Sequence, residues 1–286
     1  MQNQPLLDEE AEPIESVDFV PGVTPNNPPW NSGIAVAIWF TSVLLIVFIP
    51  TLFLLPYLFS KIGGVMDQSQ IAELATKDPT AILIQVAAVL PVHLLTLLLS
   101  WFFVTNFRKV PFRSTLGWES GGMRWWHYVA ILAGFLAIMI IVGSMVPEQE
   151  NDLLRILKSS KWALYTIAIL AVFTAPIVEE VIYRGILYSA FQRSVGTFAA
   201  VALVTFLFAL VHVPQYWPSF STIFLLTLLS LILTLIRVYS GNLLPCIILH
   251  TLFNAFQSAL MIAERHLDPG ASPGTEQALI IILGPK

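Results

Sequence analysis

Charged side chains are scarce in this chain of 286 residues. Asp, Glu, Lys and Arg make up 11% of the sequence, whereas hydrophobic residues make up 56%. An ordinary soluble domain contains about 25% charged residues. This deficit argues against a soluble globular domain and indicates a polytopic helical membrane protein.

Cysteine and basic runs are also scarce. Cys246 is the single cysteine, so the sequence offers neither a disulfide framework nor a cysteine-ligated metal site. No basic run points to a nucleic-acid partner, and no internal repeat is visible. The first 32 residues hold six of the 18 acidic residues but no Lys or Arg. We therefore interpret residues 1–32 as a disordered acidic tail and expect no signal peptide there.

Long apolar runs are what the sequence does have. A helix needs about 20 apolar residues to cross the hydrocarbon core of a membrane. The predicted spans are residues 34–59, 80–105, 128–146, 162–191, 197–213, 219–239 and 241–262. The sequence thus predicts an all-α transmembrane helix bundle of about seven spans, with eight as the alternative.

Two short connections have the composition of helices at a membrane surface. Residues 68–76 are polar, and we expect a short interfacial helix there. Residues 152–161 alternate leucines with Arg155, Lys158 and Lys161, which is typical of an amphipathic helix.

Three charged residues lie inside the fourth apolar run, where each ionisable group costs a few kcal/mol. Glu180 and Arg184 are four residues apart with the acid first, the favourable order for an ion pair on a helix. Glu179 has Tyr183 at the corresponding position. We therefore expect Glu180 to be compensated by Arg184 and Glu179 to face a cavity as a free carboxylate. Pro176 is expected to bend the helix and open backbone polar groups to that cavity.

Two later spans carry further polar residues, each at a spacing of four. Phe208 and His212 lie in the fifth span, and His250 and Asn254 lie in the seventh. At a rise of 1.5 Å per residue, Glu179 lies about 17–18 Å deep, His212 about 24 Å, and His250 and Asn254 about 14–20 Å. We expect all of these side chains to meet in one polar cavity near the middle of the membrane.

The residue types permit two chemistries. A carboxylate and an imidazole can deprotonate a water, while a second imidazole and an amide can stabilise an oxyanion. Alternatively, Glu179, His212 and His250 could bind Zn²⁺, leaving a coordination position for water. The sequence does not choose between these two possibilities.

These residues resemble the motifs of a known family. Glu179-Glu180-Val-Ile-Tyr-Arg184 is similar to its EExxxR motif, Phe208-Ala-Leu-Val-His212 to its FxxxH motif, and His250-Thr-Leu-Phe-Asn254 to its HxxxN motif. The family is the CPBP group of intramembrane endopeptidases (CAAX prenyl protease type 2, or Abi). The resemblance covers about residues 162–262.

The resemblance implies a role for each motif residue. Glu179 and His212 would activate water, while His250 and Asn254 would stabilise the oxyanion, or His250 would join a metal. Glu180 and Arg184 would support the site, and Phe208 would pack beside it.

The resemblance also implies a peptide or protein substrate associated with the lipid bilayer, prenylated in the eukaryotic members. We expect a single membrane domain over residues 33–286, with N-terminal spans in 34–161, the catalytic core in 162–262 and a tail in 263–286. The plasma membrane is the expected location. The alternatives are a transporter or proton relay and a non-catalytic binding or immunity protein.

Three other residues receive structural interpretations. His93, in the second span, has no accompanying motif and is interpreted as an interhelical hydrogen-bonding residue. Arg237 ends a span and is expected to extend its charge to the lipid headgroups. Gly185 is expected to allow the close approach of another helix.

Overall fold

The computed structural model describes residues 22–61, 67–146 and 149–267. Within these ranges the regular secondary structure is entirely helical, apart from one isolated bridge between Thr24 and Asn27. The predicted all-α fold is therefore confirmed. The predicted tail at 263–286 lies outside the described residues from 268 onward.

The first half of the chain contains seven helices within the described ranges. They are α1 (Ser32–Lys61), α2 (Gln68–Lys77), α3 (Pro79–Ala87), α4 (Val89–Val104), α5 (Phe112–Leu116), α6 (Trp125–Met145) and α7 (Asp152–Ser159). Helices α2 and α7 confirm the two predicted short helices. Asp67 caps the first by accepting a hydrogen bond from Ser69 N, and Asn151 caps the second by accepting one from Leu154 N.

The second half contains one long interrupted helix and three uninterrupted ones. In order, these segments are α8 (Lys161–Ile169), π1 (Leu170–Thr174), α9 (Ala175–Glu180), π2 (Val181–Leu187), α10 (Tyr188–Val195), α11 (Thr197–Tyr216), α12 (Phe220–Ser240) and α13 (Leu244–Leu267). The segments π1 and π2 have π-helical geometry, which widens the helix locally.

Seven helical spans among the described residues are long and apolar enough to cross a membrane. They are Ser32–Lys61, Pro79–Val104, Trp125–Met145, Lys161–Val195, Thr197–Tyr216, Phe220–Ser240 and Leu244–Leu267. The protein is an integral, multi-pass membrane protein, and the predicted set of seven spans is confirmed.

The interrupted fourth span lies at the centre of the bundle. Every residue from 181 to 190 is buried, and the surrounding core includes residues of α1, α5, α11 and α13. Large apolar side chains on other helices point outward: Phe48, Phe198 and Phe206 are 63%, 90% and 60% exposed. These outward residues form a surface suited to lipid, while the charged fourth span is enclosed by protein.

Glycine allows a close approach at two positions beside this core. A Cβ on Gly185 would lie 3.0 Å from Leu116 Cδ2, which confirms the predicted close approach, here to the short helix α5. Gly117 ends α5 with φ of +78°, and its carbonyl accepts hydrogen bonds from Leu243 N and Leu244 N. The loop before α6 is thereby attached to the start of α13.

The segment before α1 departs from the prediction of disorder. Trp30 is 3% exposed and its indole N–H donates to the Ile186 carbonyl at 3.1 Å. The Pro28 carbonyl accepts a hydrogen bond from Arg193 at 2.6 Å. The prediction is therefore wrong for residues 22–32, because an aromatic anchor fixes a proline-rich segment that composition alone marked as disordered. Residues 1–21 lie outside the described residues.

Arg237 also departs from its predicted environment at the lipid headgroups. It does not reach the headgroups, because it is 1% exposed. Its guanidinium donates to Asn26 Oδ1 at 3.0 Å and to the Pro25 carbonyl at 2.7 Å. The N-terminal segment supplies acceptors that the sequence of α12 could not reveal.

Candidate active site

A cavity of about 290 Å³ lies among α6, α7, the fourth span, α11, α12 and α13. Five motif residues line it, and they come from three helices. These residues are Glu179, Phe208, His212, His250 and Asn254. The structure therefore brings together side chains that are up to 75 positions apart in the chain (179 to 254). Leucines of the amphipathic helix α7 line the outer end of the same cavity.

Glu180 and Arg184 form a fully buried ion pair behind this cavity, with Arg184 NH1 2.9 Å from Glu180 Oε1. The remaining donors of Arg184 reach helix α12. Its Nε donates to Thr234 Oγ1 at 3.2 Å, and its NH2 donates to the carbonyl and the hydroxyl of Ser230, both at 2.8 Å. A buried charge is tolerated when it is paired and hydrogen-bonded. Arg184 and Oε1 of Glu180 meet that requirement, whereas Oε2 of Glu180 is buried without a hydrogen-bond partner among the described residues.

His250 links the buried ion pair to the cavity. Its Nδ1 lies 2.8 Å from Glu180 Oε1, and its Nε2 lies 3.8 Å from Glu179 Oε2. A carboxylate paired with Arg184 accepts hydrogen bonds, so Nδ1 carries the proton. The ring is thereby oriented with Nε2 toward Glu179, whose side chain is 25% exposed.

The orientation of His212 is fixed by the backbone of its own helix. Its Nδ1 lies 2.7 Å from the Phe208 carbonyl oxygen. A carbonyl only accepts, so Nδ1 is the protonated nitrogen. In the neutral ring, Nε2 is then an acceptor with no proton of its own, the form needed to take a proton from water.

Asn254 is anchored to the interrupted fourth span. Its Nδ2 donates to the Ala171 carbonyl at 2.8 Å. In π1 the Ala175 N–H bonds to the carbonyl of Leu170, five residues earlier. The same register would pair the Ala171 carbonyl with Pro176, which has no N–H. Pro176 therefore leaves the Ala171 carbonyl free to accept a hydrogen bond from Asn254. This agrees with the expectation that Pro176 opens backbone polar groups to the cavity.

Phe208 packs against the Arg184 guanidinium and against both imidazoles. Its ring centroid lies 4.9 Å from Arg184 Cζ, 4.7 Å from the His212 ring and 6.3 Å from the His250 ring. Arginine over an aromatic face is a favourable cation–π arrangement. The Phe208 ring lines the cavity, and Arg184 does not.

His93 makes the interhelical contact expected of it. Its Nδ1 lies 2.7 Å from Thr174 Oγ1, and that hydroxyl donates to the Leu170 carbonyl. His93 therefore donates to Thr174 and ties α4 to π1. It also lies close enough to Glu179 for an electrostatic interaction.

The zinc alternative requires three ligands around one point. Glu179, His212 and His250 line a common cavity, but no group of three His, Cys, Asp or Glu in the described part of the chain is arranged to hold a metal ion. The residues do not fit a tetrahedral zinc site in this arrangement.

Three supporting groups were not singled out from the sequence. They are the side chains of Ser230 and Thr234 and the carbonyl of Ala171. Ser230 and Thr234 did carry a signal, since two polar residues four apart in an apolar helix share one face. The carbonyl carried none beyond the proline five residues after it.

Comparison with known families gives a match over part of the chain. Residues 161–256 match the family model described as "Type II CAAX prenyl endopeptidase Rce1-like". The matched stretch is about a third of the chain, begins with α8 and ends just after Asn254 in α13. It confirms the resemblance predicted from the three motifs. No curated protein and no solved structure matches the chain.

Proposed function

We propose that this protein is an intramembrane endopeptidase that hydrolyses a peptide bond in a membrane-associated peptide or protein. The observation that carries the proposal is one cavity in which a carboxylate outside the Glu180–Arg184 pair faces two oriented imidazoles. Similarity to a family of membrane proteases supports the same reaction class.

Water activation falls to Glu179 and His212. The Glu179 carboxylate and the unprotonated Nε2 of His212 are both acceptors that line the cavity. One water can donate its two protons to these acceptors, which turns its lone pair toward a substrate carbonyl. As the C–O bond forms, one proton passes to this pair, which later delivers it to the leaving amine. General acid–base catalysis of this kind contributes about 10²–10⁴-fold.

Stabilisation of the oxyanion falls to Asn254 and His250. One N–H of the Asn254 amide is held by the Ala171 carbonyl, and its second N–H remains to donate. His250 donates through Nδ1 to Glu180, so a second proton on Nε2 would make that nitrogen a donor into the cavity. The imidazolium would also balance the charge of Glu179, because Glu180 is already balanced by Arg184. Hydrogen-bond donors that are already oriented before the reaction stabilise the negative charge that develops on the substrate's carbonyl oxygen in the transition state.

The substrate class follows from the family match and from the surroundings of the cavity. The family is described as a type II CAAX prenyl endopeptidase, so a prenylated C-terminal tail is the first substrate to test. The cavity is enclosed by membrane-spanning helices and by α7. A substrate tethered to the bilayer would reach it without leaving the membrane. The plasma membrane is the proposed location.

The test uses the full-length protein in lipid nanodiscs. The probes are fluorogenic peptides ending in a CAAX-type tail, with and without a farnesyl group on the cysteine. We expect the parent protein to cleave them and Glu179→Gln to lower kcat by about 100-fold or more, because the isosteric amide cannot accept a proton. Glu73→Gln, on the surface helix α2, is the matched control and should retain parental activity.

Two outcomes would contradict the proposal. Equal cleavage by the parent and by Glu179→Gln would reject the assigned base, and a parent without peptidase activity would favour the transport or binding alternatives. A parallel titration with 1,10-phenanthroline addresses zinc. We expect activity to persist, whereas loss that is restored by added Zn²⁺ would contradict the metal-free mechanism.

A further inference from the structure

Two glutamines line the cavity outward of the candidate catalytic residues. Gln215 follows His212 by three residues on α11, and Gln257 follows Asn254 by three residues on α13. Residues three apart share one side of a helix. Helix α11 begins after the turn at 196 and helix α13 begins after the turn at 241–243, and both run toward the end of the bundle that carries α7. Each glutamine therefore lies about 4.5 Å, or nearly one helical turn, closer to the outer end.

The two side-chain amides differ from the hydroxyls of Ser221 and Thr222, which line the same cavity. Ser221 and Thr222 both hydrogen-bond to Ser219. The side-chain amides of Gln215 and Gln257 have no hydrogen-bond partner within residues 22–61, 67–146 and 149–267. A primary amide carries two donors and an acceptor. Gln215 is exposed and Gln257 is half-buried. Both amides are thus available to a ligand in the cavity.

The charge of the cavity wall restricts that ligand. Among the described residues that line it, Glu179 is the only carboxylate, and none is Lys or Arg. A substrate carboxylate placed beside the glutamines would meet no Lys or Arg side chain of the cavity wall. Uncharged amide groups, in contrast, match the donors and acceptor of glutamine. The chemistry at this level of the cavity therefore suits the backbone of a neutral peptide segment.

We propose that Gln215 and Gln257 form a subsite that binds the substrate's peptide backbone beside the scissile bond. The proposal rests on the endopeptidase function proposed above. An extended peptide advances about 3.3 Å per residue, so an offset of about 4.5 Å along the helices corresponds to one or two residues. The amides held by the two glutamines then belong to the first two residues on one side of the cleaved bond.

The test separates binding of the backbone from catalysis. Gln215→Ala and Gln257→Ala are prepared as full-length proteins in nanodiscs and assayed with the farnesylated fluorogenic peptide. A second set of peptides replaces one backbone N–H by an ester oxygen, at each of the first two residues before the scissile bond and at the second residue after it. The nitrogen of the scissile bond is left unchanged, so that the cleaved bond remains an amide. Kinetic constants are measured for every pair of protein and peptide.

We expect each variant to raise KM about threefold to tenfold with kcat within about twofold of the parent, as for the loss of one hydrogen bond. An ester at one position should raise KM of the parent by a similar factor. It should have no further effect on the variant that has lost the corresponding glutamine, because the two changes remove the same contact. Gln70→Ala, on the exposed surface of α2, is the matched control and should retain parental constants.

The possible outcomes distinguish failure of the glutamine subsite from failure of the proposed endopeptidase function. An active parent whose glutamine variants keep the parental KM and the parental response to every ester overturns the subsite alone. A variant that lowers kcat without changing KM also overturns it, because that result indicates a structural role. A parent that cleaves none of the peptides overturns both the endopeptidase function and the subsite.

Discussion

Glu179 and Glu180 are adjacent in the sequence but lie in different environments. Glu180 is fully buried between Arg184 and His250, whereas Glu179 is 25% exposed to the cavity. Adjacent residues on a helix point about 100° apart, so a single turn presents one carboxylate to the core and the other to the cavity. We assign the first to positioning and the second to proton transfer.

This division predicts different thermal stabilities for two isosteric variants. Glu180→Gln should lower the stability by about 3–5 kcal/mol, because it leaves Arg184 buried without its counter-charge. The apparent melting temperature in detergent should fall by roughly 6 °C or more. Glu179→Gln should melt close to the parent while losing activity. Thermal unfolding of both proteins provides the measurement, and equal losses of stability would contradict the division.

The sequence revealed the local part of this network and missed the remote part. The pairing of Glu180 with Arg184 follows from a spacing of four on one helix. The bond from Glu180 to His250 depends on how α13 packs against the fourth span, and the bonds from Arg184 depend on the rotation of α12. Helical periodicity describes each helix separately, so it could place these residues in one cavity but could not say which atoms would pair.

At the scale of elements, the interruption of the fourth span connects local sequence to the site. The π1 segment and Pro176 together leave the Ala171 carbonyl to the Asn254 amide. A regular α-helix would have used that carbonyl internally. A locally weakened helix therefore supplies the fixed acceptor that orients a candidate catalytic amide.

Replacing this proline should improve the helix and damage the site. Pro176→Ala restores an N–H that can bond to the Ala171 carbonyl and compete with Asn254. We expect kcat to fall about tenfold, as for loss of one oriented hydrogen bond, while the melting temperature stays at or above that of the parent. Combined assays of peptidase activity and thermal unfolding would test this. A variant that loses stability and activity together would instead indicate general misfolding.

The existence of the elements was largely predictable, and their details were not. Runs of apolar residues identified the seven spans, and the pattern of leucines and basic residues identified α7. The π-helical segments inside the fourth span leave no mark on hydropathy, because widening a helix does not change its composition. The contact of α5 with Gly185 likewise depends on packing between distant parts of the chain.

At the scale of the whole molecule, the segment before α1 joins the two halves of the protein. Trp30 bonds to a carbonyl in π2, and Asn26 receives a hydrogen bond from Arg237 at the end of α12. The composition of this segment suggested disorder because the segment contains few apolar residues. One buried tryptophan and a series of backbone acceptors are enough to fix its position.

This attachment predicts a sharp boundary in the effect of changes near the N-terminus. Trp30→Ala should lower the stability by about 3–5 kcal/mol, because it removes a large buried side chain. Deletion of residues 1–21, which composition predicts to be disordered, should leave the melting temperature unchanged. Thermal unfolding of the two proteins in the same detergent compares them directly. A similar loss from the deletion would show that the stabilising segment begins earlier than residue 22.

The donors of Arg184 have a consequence for engineering. The donors engage the hydroxyls of Ser230 and Thr234 as well as a backbone carbonyl. The guanidinium can therefore make all of these hydrogen bonds in only one register of α12. Grafting the three motifs onto another helical scaffold would therefore leave Arg184 without its acceptors on α12. A functional transplant would have to carry the serine and threonine of α12 together with the motifs, although no motif includes them.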